Sequence, residues 1–317
     1  MQRLKQVNWH KVSWIIAIEI AAAMVIIAIF FGGGMDTIRY YQPFAQGCLN
    51  CGFIPYFAQV LLSPLIPVSK AMVWPVWTAF SLTGLLLVAW KTEINPLIFL
   101  FTFPMFGQYW LGQIDVFLCL GALLAIRAKS PYWRGAGLTL MMVKPQIAML
   151  AVVFLLVREE RKSLLKMLAV PAAVLAVSLA VYGIDWPLRW FENARMFLPD
   201  HPWKMAAEFF WPWGLVLLPL PFFFKDREEG TLVSYMVSSL ALPFFSVYSY
   251  IVFLIFESPW WVLPVSYAYK LFQPWYGEQV MKMAWILPLT MLLVHVNRRF
   301  DLTGRIRERV GSNDTRS

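Results

Sequence analysis

The sequence predicts an all-α polytopic membrane protein, and three observations support this fold class. Hydrophobic residues make up 60% of the 317 residues and charged residues only 14%, whereas an average soluble domain is about 25% charged. Apolar runs recur along the whole chain, and the first, at 12–31, has the roughly 20 residues that a spanning helix needs. The basic residues lie between these runs, so the net charge of +9 indicates membrane orientation and no nucleic-acid partner.

About twelve transmembrane or half-span segments are predicted within one membrane domain, residues 1–317. In chain order the apolar runs are residues 12–31, 72–90, 96–109, 114–127, 135–144, 146–157, 164–182, 210–224, 231–244, 246–256, 259–272 and 280–297. Basic residues gather in the connections that an internal N-terminus would place in the cytoplasm, as the positive-inside rule requires. We therefore expect both termini in the cytoplasm of a bacterial cell (plasma) membrane, with a basic tail at 298–317.

The third to sixth and ninth to eleventh segments are shorter than the about 20 residues of a full span. Broken backbone at membrane depth is tolerated only where protein or water satisfies its polar groups. Half-length helices therefore predict a polar cavity inside the membrane. The alternative is that some neighbouring segments are one kinked span, and Pro145 makes 135–157 the clearest case.

Two long outward connections are predicted to carry helices that lie in the membrane interface. They cover residues 32–71 and 183–209, and both are rich in aromatic residues and proline. In the first, Cys48 and Cys51 form a C-x-x-C pair without a nearby histidine, which is at most half of a zinc site. A local disulfide in this outward connection is compatible with the pair, but the sequence leaves open whether it forms. A thioredoxin-like role is disfavoured, because its βαβ context is absent.

Asp36 is the first candidate for chemistry, because it follows a glycine run at 32–34 that lets the backbone approach a ligand closely. A carboxylate at the outer membrane face can take a proton from a substrate hydroxyl as a general base. Arg39 and Tyr40 follow within one turn and are candidates for phosphate and substrate binding. The alternative for Asp36 is a loop acid or a salt bridge to Arg39.

Polar side chains at predicted helix breaks are further candidates. Gln113 and Asp115 lie where two short segments meet, so they can orient a substrate hydroxyl or cap a helix. Lys144 ends a short segment, where it can bind a lipid phosphate or extend its amine to the interface. Asn193 is a candidate for substrate binding or an ordinary surface residue. Glu19, in the middle of the first segment, is expected to face a polar partner inside the bundle.

These pieces together resemble the GT-C superfamily of membrane glycosyltransferases, and nearest to them is glycosyltransferase family 87, an α-mannosyltransferase-like group. The similar stretches are GQID at 112–115 and RGAGLTLMMVKPQIAMLAVVFLLVREERK at 134–162. They follow a pattern of a Gly-Gln turn, a short helix, an Ala-Gly-rich helix ending in Lys-Pro, and a returning helix closed by basic residues. The first outward connection is also similar, in MDTIRYYQPF at 35–44, GFIPYF at 52–57 and SPLIP at 63–67.

The resemblance implies a GT-C-like bundle that moves mannose or another hexose from a polyprenyl-phosphate donor to a lipid or glycan acceptor at the extracytoplasmic face. Asp36 would deprotonate the acceptor, while Lys144 and Arg39 would bind the donor phosphate. The expected substrate contacts are Tyr40, Gln113, Asp115 and Asn193. The expected partners are the donor, the acceptor and membrane lipids. No cofactor is expected, and three scattered histidines predict no metal site, although a divalent-metal requirement is left open.

Two other function classes are compatible with the pattern. Broken helices with charges at mid-depth also serve transport, so a transporter or flippase for lipids or lipid-linked sugars is one alternative. A non-catalytic membrane subunit with the same fold is the other. The sequence has no P-loop, dinucleotide fingerprint, H-E-x-x-H or G-x-S-x-G motif, which argues against the enzyme classes that depend on them.

Overall fold

The computed structural model describes residues 9–197, 210–242 and 245–301, in which helices dominate and no β-strand occurs. The α-helices are, in chain order, α1 (Trp9–Phe30), α2 (Gln42–Ala45), α3 (Gln59–Leu62), α4 (Val73–Thr92), α5 (Pro96–Leu100), α6 (Phe103–Leu111), α7 (Asp115–Arg127), α8 (Pro131–Met141), α9 (Pro145–Arg158), α10 (Arg161–Tyr182), α11 (Trp186–Phe197), α12 (Arg227–Ala241), α13 (Ile251–Leu254), α14 (Val262–Tyr267), α15 (Gln273–Tyr276) and α16 (Ile286–Phe300). A π-helical turn covers Thr37–Tyr41. The 3-10 segments are Tyr56–Ala58, Ser63–Leu65, Trp213–Leu217, Leu220–Phe223, Val247–Tyr250, Ala268–Phe272 and Gly277–Trp285.

Helix length divides this all-α membrane protein into two classes. Within the described ranges, four helical stretches are long and apolar enough to cross a membrane: Trp9–Phe30, Val73–Thr92, Arg161–Tyr182 and Gln279–Phe300. The helices between the second and third of these are short, from 5 residues in α5 to 14 in α9. Short central helices agree with the sequence, whereas the total of about twelve segments stays a prediction.

Helices α8 and α9 form a hairpin and not one kinked span. Arg134 in the first turns of α8 lies 2.7 Å from the carboxylate of Glu159, the residue after α9. A continuous helix would separate these two residues by about 38 Å at 1.5 Å per residue. The alternative of a single span over 135–157 is therefore excluded, and residues 142–144 form the tip of the hairpin.

Glycines let α8 approach its two neighbours closely. A Cβ atom at Gly137 would lie 2.5 Å from the carbonyl oxygen of Gly121 on α7, and one at Gly121 would lie 2.6 Å from the oxygen of Gly137. On another side of α8, a Cβ at Gly135 would collide with the carbonyl oxygen of Met167 on α10. Helix α8 is thus packed backbone to backbone between α7 and α10, as small residues permit in membrane helices, while α9 packs mainly against α12.

Helix α1 buries only a stripe of small residues. Ser13, Ala17, Ala21 and Ala28 are buried, and the helix packs against α4 and α5. Glu19 lies on the exposed side and makes no hydrogen bond or ion pair with a described residue. Among the described residues, the expectation that Glu19 finds a polar partner inside the bundle is therefore wrong. The neighbours of Glu19 in the sequence are apolar on every side, so they do not reveal which face of α1 is buried.

Ion pairs join helix ends at one side of the structure, around the start of α12. They are Arg127–Glu228 (2.7 Å), Arg134–Glu159 (2.7 Å), Arg227–Glu159 (3.0 Å) and Arg298–Glu257 (2.9 Å). We call this set the ionic layer. The charge distribution of the sequence predicts that these helix ends are cytoplasmic. The ion pairs agree with this prediction to the extent that they hold the ends on one common side.

The two outward connections are helical in part. In the first, Cys48 and Cys51 form a disulfide, which the sequence had left open, while Cys119 is a buried free thiol on α7. The second contains α11, and its residues 198–209 lie outside the described part of the chain. Of the predicted basic tail, Arg298 and Arg299 belong to the last turn of α16, and residues 302–317 lie outside the described ranges.

The close approach of α7 and α8 can be tested by replacing Gly137 with alanine. Alanine is a better helix former than glycine by about 1 kcal/mol, but its Cβ would press on the rigid backbone of α7. We expect an overpacking cost of about 2–3 kcal/mol and therefore a net loss of about 1–2 kcal/mol. Thermal unfolding in detergent measures the change. Gly32→Ala is the control, because nothing lies within 4 Å of a Cβ there. A Gly137→Ala protein as stable as the wild type would contradict this packing.

Candidate functional site

Gly112 ends α6 and turns the chain toward α7. Its φ of 69° and ψ of 53° are left-handed, a conformation that glycine adopts without a Cβ penalty. The carbonyl oxygen of Gly112 accepts a hydrogen bond of 2.7 Å from the Thr37 hydroxyl, and a Cβ at Gly112 would collide with that hydroxyl. The turn after α6 is therefore held against the segment that carries Asp36.

The next residue, Gln113, is fully buried and fixed through its main chain. Its carbonyl oxygen accepts hydrogen bonds from the Gln108 side-chain amide at 2.8 Å and from the Trp77 indole at 3.1 Å. Both donors come from neighbouring helices, α6 and α4. These two bonds fix the backbone from which the Gln113 side chain extends.

The hydrogen-bond network determines which way the Gln113 amide points. Its oxygen, Oε1, accepts from the Tyr41 hydroxyl at 2.8 Å and from the Lys144 ammonium at 2.8 Å. Its nitrogen, Nε2, donates to the Asp36 carboxylate. The reversed amide would place two donors against an NH₂ group and a carboxylate against an oxygen, so only the observed orientation satisfies every partner.

Lys144 and Asp115 form a buried ion pair beside this amide. The Lys144 Nζ lies 2.6 Å from Asp115 Oδ1, and their side chains are only 2% and 0% exposed. Asp115 also accepts a hydrogen bond of 2.8 Å from Ser249, and the ammonium lies 5.0 Å from the centre of the Tyr248 ring. Asp115 begins α7, where a helix dipole favours an anion, and Lys144 stands at the hairpin tip directly before Pro145 begins α9.

Asp36 is half-buried in the connection after α1, outside the spanning helices. Burial raises the pKa of Asp36 to about 6, against the lowering influence of the Lys144 ammonium and the Gln113 hydrogen bond. The Asp115 carboxylate raises this pKa further, and the Arg39 guanidinium lowers it. Asp36 is therefore ionised near neutral pH and can still accept a proton, which is what a general base requires.

The structure brings together most of the residues that the sequence singled out. Asp36, Gln113, Asp115 and Lys144 form one connected network, although they are separated by up to 108 positions in the chain. Arg39 is exposed on the same turn as Asp36 and has no ion pair with a described residue. These placements agree with a common site, while the chemical role of each side chain stays a prediction.

Tyr40 and Asn193 belong to the two outward connections and make their described contacts there. Tyr40 is half-buried, and its ring centre is 6.5 Å from that of Phe53. Asn193 on α11 is buried, and its amide donates to the carbonyl oxygen of Gly52. Asn193 thus ties α11 to the first outward connection, and its contact with substrate stays a prediction.

Sequence reasoning missed several residues that hold the site. Tyr41, Trp77, Gln108, Tyr248 and Ser249 all contact the network. Two signals could have identified some of them. Tyr41 is the second residue of a tyrosine pair after Arg39, and Ser249 lies in the polar stretch SVYSY inside an otherwise apolar region.

An apolar groove of about 300 Å³ opens beside the hairpin tip, between α8, α9, α10 and α11. Its lining includes Met142, Pro145, Met149, Pro171, Leu175 and Trp186. Met142 and Pro145 stand within two residues of Lys144. The groove therefore adjoins the hairpin tip, where Lys144 belongs to the buried ion pair.

The site offers few ligands for a metal ion. Within the described ranges, no three His, Cys, Asp or Glu side chains converge in a way that could hold one. Asp36 and Asp115 are the carboxylates of the network, and Asp115 is already paired with Lys144. A divalent cation here would have to take most of its oxygen ligands from water or from substrate.

Long apolar helices, short helices between them and a buried acid–amide–amine–acid network define an integral membrane protein with a polar site at its helix breaks. Residues 54–201, just under half of the chain, match the family model of glycosyltransferase family 87. This match confirms the resemblance found in the sequence and indicates a membrane glycosyltransferase, which acts on a sugar donor and an acceptor. Gln113, Asp115, Lys144 and Asn193 lie inside the matched range, and Asp36 precedes it. No curated protein and no solved structure matches the chain.

Proposed function

We propose that the protein transfers a hexose, mannose in the first instance, from a polyprenyl-phosphate donor to a hydroxyl of a lipid or glycan acceptor. The observation that supports this most is the convergence of Asp36 and Lys144 on the two ends of one buried amide. It places an acid that is ionised at neutral pH at a break between half-length helices. Such a break is where a lipid-borne substrate can reach polar groups inside the membrane.

In the proposed reaction, Asp36 accepts the proton of the acceptor hydroxyl. The acceptor oxygen forms a bond to the anomeric carbon of the sugar while the bond from that carbon to the phosphate oxygen breaks. The lipid phosphate leaves with the electron pair, and a single displacement of this kind inverts the configuration at the anomeric carbon. The exposed guanidinium of Arg39, on the same turn as Asp36, is suited to bind the departing phosphate.

The apolar groove beside the hairpin tip is proposed to hold the first part of the donor lipid. Its lining is almost entirely apolar and it lies on the flank of α8, α9 and α10. An isoprenoid chain in this groove would bring its phosphate toward the tip, near Asp36 and Arg39. Buried apolar area would then supply binding energy that does not depend on the sugar.

The reaction is proposed to take place toward the extracytoplasmic face. The ionic layer marks the opposite end of α7 and α9, at Arg127 and at Glu159, the residue after α9. At 1.5 Å per residue, the lengths of these helices place the site roughly 18–21 Å from the ionic layer. This distance is more than half the thickness of a hydrocarbon core of about 30 Å. With the ionic layer in the cytoplasm, the two connections at 32–71 and 183–209 face outward.

The role of Asp36 is tested by Asp36→Asn. Loss of the general base should lower kcat for sugar transfer by about 10²–10⁴-fold while the protein still folds. The assay follows labelled sugar from a polyprenyl-phosphate donor to acceptor in proteoliposomes. Asp185→Asn is the matched control, because Asp185 is an exposed acid whose ion pair among the described residues is with Arg189 in its own connection. Full transfer activity in Asp36→Asn would refute the base role. No transfer by the wild type itself would favour a transporter or a non-catalytic subunit.

The ionisation of Asp36 should also appear in the pH dependence of the reaction. Its pKa is raised to about 6, so the base is protonated and inactive below that pH and ionised above it. We therefore expect kcat/KM to rise about tenfold per pH unit up to pH 6 and then to level off. A profile that is flat between pH 5 and 8 would contradict this assignment.

The lipid-binding role of the groove is tested by Leu175→Trp, which places a bulky ring among the lining residues. The ring would displace part of the donor lipid from the groove. If the lipid loses contact equivalent to about two methylenes, KM for a long-chain donor should rise roughly tenfold. A donor with a much shorter lipid should be affected less. Val177→Trp serves as the control, because Val177 is exposed on the same helix and does not line the groove. Equal effects of the two variants on KM would exclude the groove as the lipid site.

A further inference from the structure

We infer that Asp115, Lys144 and Gln113 are positioning residues: the Lys144 ammonium acts on Asp36 through the Gln113 amide and does not touch the substrate. This inference rests on the proposed function, in which Asp36 is the base. It differs from the expectation that Lys144 binds the donor phosphate, and it leaves Arg39 as the cation of this site that is open to a ligand.

The surroundings of Lys144 support a structural use of its charge. The ammonium is 2% exposed and lies 2.6 Å from Asp115, whose own side chain is fully buried. Moving Lys144 to a phosphate would leave the Asp115 charge buried without its cation, which proteins avoid. Its remaining contacts are the Gln113 oxygen and the face of the Tyr248 ring, so the described structure already surrounds it.

The Gln113 amide transmits this arrangement to Asp36. Lys144 and Tyr41 both donate to Oε1, so the amide cannot rotate without losing two hydrogen bonds. Nε2 is thereby aimed at Asp36 and occupies one oxygen of that carboxylate. The other oxygen is left for the acceptor hydroxyl, and the position of the base is fixed before the substrate arrives.

Charges around Asp36 make the inference measurable, because its two buried neighbours have opposite signs. The charged and titratable groups that face Asp36 are Arg39, Tyr41, Asp115, Lys144 and Tyr248. Removal of the Lys144 cation favours the protonated form of Asp36, and removal of the Asp115 anion favours the ionised form. A role confined to packing would not produce shifts of opposite direction.

The experiment titrates Asp36 in Lys144→Met, Asp115→Asn and the double variant. One readout is the pH midpoint of kcat/KM. The other needs no activity: dicyclohexylcarbodiimide modifies protonated carboxyl groups, and mass spectrometry of the peptide containing Asp36 gives the extent of modification at each pH. Arg134→Met is the matched control, because it also removes the cation of a largely buried ion pair, in the ionic layer far from Asp36.

We expect the midpoint to rise by about one pH unit or more in Lys144→Met and to fall in Asp115→Asn. The double variant should lie between them, Arg134→Met should match the wild type, and KM for the donor should change little in Lys144→Met. If Lys144→Met does not fold, the comparison of Asp115→Asn with the double variant isolates the same cation. If Lys144→Met leaves the Asp36 midpoint unchanged and strongly raises KM for the donor, the inference is overturned. Lys144 would then be assigned to binding of the donor phosphate.

Failure of this inference can be told apart from failure of the proposed function. If the carbodiimide midpoints shift as expected but no polyprenyl-phosphate sugar is transferred, the charge arrangement is correct and the proposed function fails. If the wild type transfers sugar and neither midpoint moves in the variants, the proposed function holds and the positioning role of Lys144 is wrong.

Discussion

The side-chain amide of Gln113 is the contact on which the site depends. It joins the segment after α1, the break between α6 and α7 and the tip of the α8–α9 hairpin, through one nitrogen and one oxygen. Each of these three elements is a short connection between helices, and its polar side chain is held in position by the other two. Because each partner of the amide is buried or half-buried, an unmade bond would leave a desolvated polar group, and this holds the elements in register.

The helix breaks depend on the close packing of the helices around them. A break in a membrane helix exposes backbone groups that lipid cannot satisfy, and here the breaks at Gly112 and Lys144 face protein side chains. The glycines of α8 allow the hairpin to lie against α7 and α10 with almost no space between backbones. Among the described residues, open cavities lie at the two outer connections and along the groove.

Sequence alone located the breaks and most of the charged residues of the site, because glycine, proline and isolated charges are visible in an apolar chain. It did not predict that Lys144 would be paired with Asp115, since spacing does not show which way each side chain points around its helix. The same limit explains Glu19, whose apolar neighbours cover every face of α1. The sequence did not reveal which residues Tyr41, Trp77 and Ser249 contact, because their partners lie 36 to 134 positions away.

The hairpin of α8 and α9 also bears on how the chain enters the bilayer. With 11 and 14 residues, neither helix reaches across the hydrocarbon core. Its tip carries a lysine whose counter-ion, Asp115, is on α7, which is synthesised first, whereas Ser249 and Tyr248 come about a hundred residues later. The hairpin can therefore be inserted as a pair of helices beside an existing α7, but the contacts around its tip are complete only after Tyr248 and Ser249 have been translated.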